Sequence, residues 1–326
     1  MNPLNSLIAL FWIVLFILAG CRSDDPDSAI QTPVSEEATL ETATGTLRGT
    51  LLRPAAEGTF PVALIIAGSG PTDRNGNSPM GVNSNYLKML ADSLAQHGIA
   101  SLRYDKRGVA ASQAAGLDES ALRFDHYVDD AVDWIEQLQQ DRRLSQVAVL
   151  GHSEGSLIGM LAAQQSLVSA FVSLAGAAQP ADSLILEQLR EQPAAVRDEA
   201  QAIFGELRQG RTVANVSLGL QALFRPSVQP YLISWIKHHP AEIIAELSVP
   251  TLIVHGSTDL QVPEAEAQRL AVAQPQAELV IIEGMNHVLK NAPSDPVANG
   301  ATYANPALPL ADELVAPLVA FLDKHL

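Results

Sequence analysis

An apolar run from Gln146 to Leu150 leads without a break into Gly151-His152-Ser153-Glu154-Gly155, and this segment constrains the fold more than any other. The run is predicted as a strand, and the small-residue stretch Ser156 to Gln165 as the helix that follows. A strand that turns into a helix within two or three residues leaves no room for side chains beside the turn, so glycines must flank its apex. The apex residue is then a serine whose hydroxyl projects above the end of a sheet. The helix behind it turns its N-terminal dipole toward any negative charge that develops there.

The surrounding pattern supplies the sheet. Thr39 to Arg53 reads as one or two early strands with a turn at Gly45. Pro61 to Ala67, Ile99 to Tyr104, Ala170 to Leu174, Thr251 to His255 and Leu279 to Ile282 are short apolar runs of the kind buried on both faces. Between them, Tyr86 to His97, Phe124 to Leu138 and Leu310 to Leu322 carry apolar residues at helical spacing. Strands alternating with helices imply an α/β architecture, a mostly parallel sheet covered by helices on both faces. The alternation stops from 177 to 247, where Leu186, Leu189, Val196, Ala200, Ile203, Phe204 and Leu207 keep helical spacing around Pro193. Phe224, Tyr231, Leu232, Trp235 and Ile236 add an apolar-aromatic cluster. A helical insertion between two strands is expected to form a lid over the C-terminal edge of the sheet.

A serine is a weak nucleophile until a base takes its proton. Of eight histidines, His287 is the candidate base, because Gly284-Met285-Asn286-His287 follows the last strand and so opens on the same edge as Ser153. His152 should point away from its neighbour Ser153, and His255 ends a strand and is expected to pack. The candidate acid is Asp259, in the turn after Thr251 to Gly256, with room for one helix and one strand before His287. Asp182 is the alternate acid. Oxyanion donors are expected from the Glu154 N–H at the helix start and the Ser69 N–H in Gly68-Ser69-Gly70-Pro71. No cysteine or histidine cluster has metal-ligand spacing, so neither metal nor organic cofactor is expected. A formal charge of −16 argues against nucleic-acid partners.

The N-terminus reads separately. Residues 1–20 are expected to be a signal peptide: Leu7 to Leu18 is an apolar run short for a membrane span, although Met1 to Ser6 lacks Lys and Arg. Leu18-Ala19-Gly20-Cys21 resembles the lipobox of bacterial lipoproteins, which implies cleavage before Cys21, the only cysteine, and lipidation of its sulfur. Arg22 stands where that pattern has an aspartate for inner-membrane retention, so the resemblance implies an exported protein anchored at the outer membrane and facing the periplasm. Residues 21–37 are polar and turn-rich and are expected to tether a domain spanning 38–326.

These segments together resemble the bacterial α/β-hydrolase superfamily, in particular lid-bearing carboxylesterases and serine-aminopeptidase-like hydrolases. The likeness is carried by Ala67 to Asn77, Arg103-Tyr104-Asp105-Lys106-Arg107-Gly108, Gly151-His152-Ser153-Glu154-Gly155, Phe224-Arg225-Pro226, His255-Gly256-Ser257-Thr258-Asp259 and Asn286-His287. The order Ser153, Asp259, His287 is that of the superfamily. The resemblance implies the α/β-hydrolase fold, a Ser-His-Asp triad acting through an acyl-enzyme, and Asp105 and Arg107 ordering a loop beside the site. Ala67 departs from it where many relatives carry histidine, and Ala110 where glycine is frequent. The expected substrate is a small acyl ester or a short peptide. Ester hydrolysis is favoured by the apolar, aromatic insertion, with an aminopeptidase or thioesterase sharing the same residues. A dehalogenase or epoxide hydrolase is disfavoured, because those relatives carry aspartate at the position of Ser153. A non-catalytic, ligand-binding lipoprotein is the reading from a different class.

Overall fold

A computed structural model describes residues Thr32–Leu326. The expected signal peptide, Cys21 and most of the expected tether lie outside the described residues. Among the described residues no helix is long and apolar enough to cross a membrane.

Eight strands form one sheet: β1 (Val34–Thr42), β2 (Gly45–Arg53), β3 (Phe60–Ile66), β4 (Ala100–Tyr104), β5 (Leu144–His152), β6 (Ala170–Leu174), β7 (Thr251–Gly256) and β8 (Glu278–Ile282), in the order β1-β2-β4-β3-β5-β6-β7-β8. Strands β3 to β8 are parallel, and β1 and β2 form an antiparallel hairpin on one edge. This is the α/β-hydrolase fold.

The central strands are continuously apolar because each face has its own core. Val62, Leu64 and Ile66 of β3 point to one side, with Val147 and Val149 of β5, Phe171 of β6 and Ile253 of β7. The alternate residues Ala63, Ile65, Ala148, Leu150, Val172, Leu174, Leu252 and Val254 face the other. Helices α2 (Phe124–Gln140), α3 (Glu154–Gln165) and α9 (Glu264–Ala273) cover the first face, with Trp134 and Ile158 fully buried. Helices α1 (Tyr86–Gln96) and α11 (Val315–His325) cover the second through Leu87, Leu90, Leu94, Leu318 and Phe321. Truncating a side chain such as Trp134 to alanine would cost about 3–5 kcal/mol.

Between β6 and β7 the chain is helical: α4 (Ala181–Gln188), α5 (Ala194–Leu207), the short α6 (Gln221–Phe224), α7 (Gln229–Ile236) and α8 (Pro240–Ala245). Its apolar residues, among them Phe204, Phe224 and Tyr231, join the first core. A last short helix, α10 (Pro296–Ala301), follows β8.

Most boundaries shift by a residue or two from the sequence reading, and three of the shifts are worth naming. Strand β1 starts at Val34, inside the segment expected as tether, because nine residues pair in register with β2 from Val34–Arg53 to Thr42–Gly45. Helix α3 starts at Glu154 rather than Ser156. Helix α11 starts at Val315 rather than Leu310, and the segment before it is tied to the His287 loop by the Ala311 N–H on the Leu289 carbonyl at 2.8 Å.

Candidate active site

Parallel strands bring their C-terminal ends to one edge of the sheet, the edge at which open α/β sheets bind ligands. Gly68 follows β3, Asp105 follows β4, Ser153 follows β5, Asp259 follows β7 and His287 follows β8. The topology therefore gathers residues that are far apart in sequence.

Ser153 sits between β5 and α3 at φ 55° and ψ −121°, a conformation that costs a non-glycine residue about 1–3 kcal/mol. Its N–H bonds to the Leu174 carbonyl at 2.9 Å, and its carbonyl accepts from Ser156 N at 2.9 Å. The flanking glycines are required by backbone contact. A Cβ on Gly151 would lie 2.2 Å from the Gly155 carbonyl oxygen, and one on Gly155 would lie 2.3 Å from that of Ile66. The turn is thus wedged between β3 and its own helix, and Ser153 remains partly accessible.

His287 Nδ1 donates to Asp259 Oδ2 at 2.7 Å, with both side chains buried. Asp259 Oδ1 accepts the N–H groups of Gln261 and Val262 at 2.8 and 2.9 Å. Burial pushes the Asp259 carboxyl up, but His287, His255 and the Val262 amide outweigh it and hold the group below its usual range. The second carboxylate expected as a possible acid, Asp182, is elsewhere: it lies in α4 and pairs with Arg208 Nε at 2.5 Å. No hydrogen bond joins Ser153 to His287 among the described residues. Such bonds are often long until substrate is present.

The His287 loop is tied down by buried amides. Asn286 Nδ2 donates to Thr302 Oγ1 at 2.7 Å and Asn299 Oδ1 at 3.2 Å, while Asn299 Nδ2 reaches the Thr258 carbonyl at 2.9 Å. His152 turns away from Ser153. Its Nε2 donates to the His287 carbonyl at 2.7 Å, which leaves Nδ1 to accept from the Tyr86 hydroxyl at 3.1 Å. Burial, with His287 beside it, lowers the His152 pKa from 6.5 to about 3. His255 is fully buried and donates through Nε2 to the Val262 carbonyl at 2.8 Å, leaving Nε2 3.7 Å from Asp259.

The amides expected to face an oxyanion belong to Glu154, next to Ser153, and to Ser69, whose neighbour Gly68 packs so close that a Cβ there would lie 3.1 Å from Ser153 Cβ. Glu154 opens α3, where the first N–H groups have no partner in the helix. Ser69 is exposed in the loop after β3. Neither N–H is engaged among the described residues. Asp105 orders the neighbouring loops: it accepts from Arg74 N at 2.7 Å and Arg74 Nε at 3.1 Å, and from Ala111 N at 3.1 Å. Arg107 pairs with buried Asp130 and donates to Thr44 Oγ1 at 2.7 Å. Ala110 takes a left-handed φ of 42°, a region glycine enters without strain.

The sequence reading missed one buried group. Lys106 Nζ lies 2.6 Å from both Glu154 Oε2 and the Gly68 carbonyl oxygen, and the Tyr231 hydroxyl of α7 donates to Glu154 Oε1. The sequence signal was a lysine directly after an apolar strand and a glutamate inside the glycine-flanked turn, two places where a charge needs a partner.

Comparison with known proteins agrees with this architecture. The family model described as "Serine aminopeptidase, S33" matches residues 80–294. Esterase EstD of Thermotoga maritima is 26% identical over 257 residues, 74% of this chain, and the chain spans only 58% of that relative's length. Among solved structures, Est1E from Butyrivibrio proteoclasticus with ferulic acid bound aligns at a TM-score of 0.59 and 16% identity, over 88% of this chain and 98% of its own. The esterase domain of a Rhodothermus marinus protein aligns at 0.57 and 18% identity, over 90% and 99%. At these identities the structural likenesses concern the fold alone.

Proposed function

The chain belongs to the serine aminopeptidase S33 family of α/β hydrolases, and on that premise we propose that it cleaves carboxylic esters through Ser153, His287 and Asp259. One observation carries the reading: a serine at a strained strand-to-helix turn shares a sheet edge with a histidine whose Nδ1 is held by a buried carboxylate at 2.7 Å. With Nδ1–H committed to Asp259, the His287 Nε2 is the free acceptor for the serine proton. Ser153 attacks the acyl carbonyl, and the Ser69 and Glu154 amides receive the oxyanion. His287 protonates the departing alkoxide. Water, deprotonated by His287, then releases the acid from the acyl-enzyme.

Esters are preferred because EstD and the Rhodothermus marinus domain are named as esterases and the helices between β6 and β7 are apolar and aromatic. We read those helices as a lid whose Tyr231 reaches the turn. The family's description favours a second reading, aminopeptidase activity on the same residues. Hydrolysis of p-nitrophenyl esters from acetate to laurate, beside an aminoacyl-nitroanilide panel, separates the two. Ester turnover lost in Ser153→Ala supports the first reading. Anilide turnover without ester turnover replaces it with the second, and silence on both in folded protein favours a ligand-binding role.

From the sequence alone, we further propose lipidation at Cys21 and an outer-membrane, periplasm-facing location. Incorporation of labelled palmitate that persists in Cys21→Ser would refute the lipid attachment.

A further inference from the structure

We propose that Lys106 is a positioning residue that aims the Ser69 N–H at the reacting carbonyl, a role that rests on the assignment of Ser153 as nucleophile. The Gly68 carbonyl and the Ser69 N–H belong to one peptide unit. A trans peptide is planar, so its C=O and N–H point in opposite directions. Lys106 Nζ holds the Gly68 oxygen at 2.6 Å on the buried side, from a residue only 1% exposed. That contact turns the N–H of the same unit away from the core, toward the edge where Ser69 is exposed and Ser153 is partly accessible.

The same ammonium is anchored by Glu154 Oε2 at 2.6 Å, and Glu154 supplies the other amide proposed to face the oxyanion. One buried ion pair therefore fixes both donors relative to each other. The Tyr127 ring, 4.8 Å from Nζ, closes a further side of the ammonium. Glu154 Oε1 accepts the hydroxyl of Tyr231 from α7, so the inserted helices brace the anchor. The pair explains how the loop is held although Ala67, buried at the end of β3, has no polar side chain.

A buried pair can also serve stability alone, so the test must separate the two. The double variant Lys106→Met/Glu154→Gln leaves no unpaired charge and keeps an amide oxygen for Tyr231, and removing both charges together is commonly tolerated. It is expected to melt close to wild type with KM for p-nitrophenyl butyrate little changed. Its kcat should fall about 100-fold, the scale set by a misplacement of about 1 Å. Affinity for a trifluoromethyl ketone, which forms a tetrahedral oxyanion on the serine, should fall in parallel, a change that a purely structural pair would not produce. A folded double variant with wild-type kcat and ketone affinity overturns the proposal. Tyr231→Phe removes one hydroxyl and is the second variant should the double one not fold. Losing a hydrogen bond to a charged group should lower kcat about 10-fold at an unchanged KM. An unchanged kcat there overturns the bracing of the anchor and with it the proposal. A wild type that turns over esters but takes no label at Ser153 would instead remove the premise.

Discussion

Replacing Asp259 by asparagine should disable the site while leaving its framework standing. Asp259 accepts three hydrogen bonds, two at Oδ1 from the Gln261 and Val262 amides and one at Oδ2 from His287 Nδ1. An asparagine whose Oδ1 faces the two amides keeps the turn closed. Its NH₂ then faces His287, where it can only donate, so the imidazole must carry its proton on Nε2 and present no acceptor to Ser153. In Ser-His-Asp enzymes such a tautomer reversal lowers kcat by about 10⁴-fold, or about 5 kcal/mol of barrier. Removing a neutral contact alone would cost only about 1 kcal/mol, so the size of the loss separates the two roles. The assay is kcat on p-nitrophenyl butyrate beside the melting temperature of the same preparation. A folded Asp259→Asn protein within 10-fold of wild type would refute the argument that this carboxylate sets the tautomer of a catalytic base.

Three further outcomes follow from named contacts. The folded-state pKa of His152 lies near 3 against 6.5 in model peptides, so between those values the unfolded chain binds the proton and the folded one does not. His152 should therefore cost wild type about 1.4 kcal/mol of stability per unit as pH falls below 6.5, and urea unfolding of His152→Gln should lack that share of the slope. Parallel slopes would contradict it. Ala110→Gly relieves a left-handed φ of 42° worth about 1–2 kcal/mol and gives back about 0.5–1 kcal/mol in backbone entropy. A net gain of about 0.5–1 kcal/mol is expected in urea unfolding, and a loss would refute the strain. Gly155→Ala puts a methyl 2.3 Å from the Ile66 carbonyl oxygen and should cost about 1–3 kcal/mol by thermal unfolding together with most of the activity. A neutral effect would mean the turn is not wedged against β3.

The sheet was legible because burial on both faces writes itself as unbroken apolar runs, and β3 to β8 each fall within two or three residues of their expected ends. The placement of Ser153, Asp259 and His287 on one edge was legible for a related reason. Each follows such a strand, and parallel strands end on one edge. Strand β1 was not legible as far as Val34, because an edge strand has one neighbour and here only half-buries alternate side chains. Its Ser35, Glu36 and Glu37 look like linker, and what fixes them is the backbone register with β2. Lys106 with Glu154, Asp182 with Arg208 and His152 with the His287 carbonyl were not legible either, since each joins residues whose proximity only the closed fold creates. Local sequence announced that a polar group stood in each place and left its partner unnamed.

The central claim is that Ser153 is a nucleophile activated by His287, and covalent labelling tests it most directly. The protein would be treated with a fluorophosphonate, digested and mapped by mass spectrometry, with Ser153→Ala and His287→Ala in parallel. Stoichiometric adduct is expected on the peptide that carries Ser153, none in Ser153→Ala, and labelling slowed by orders of magnitude in His287→Ala. An adduct on another residue, or folded wild-type protein that hydrolyses esters without labelling at Ser153, would contradict it.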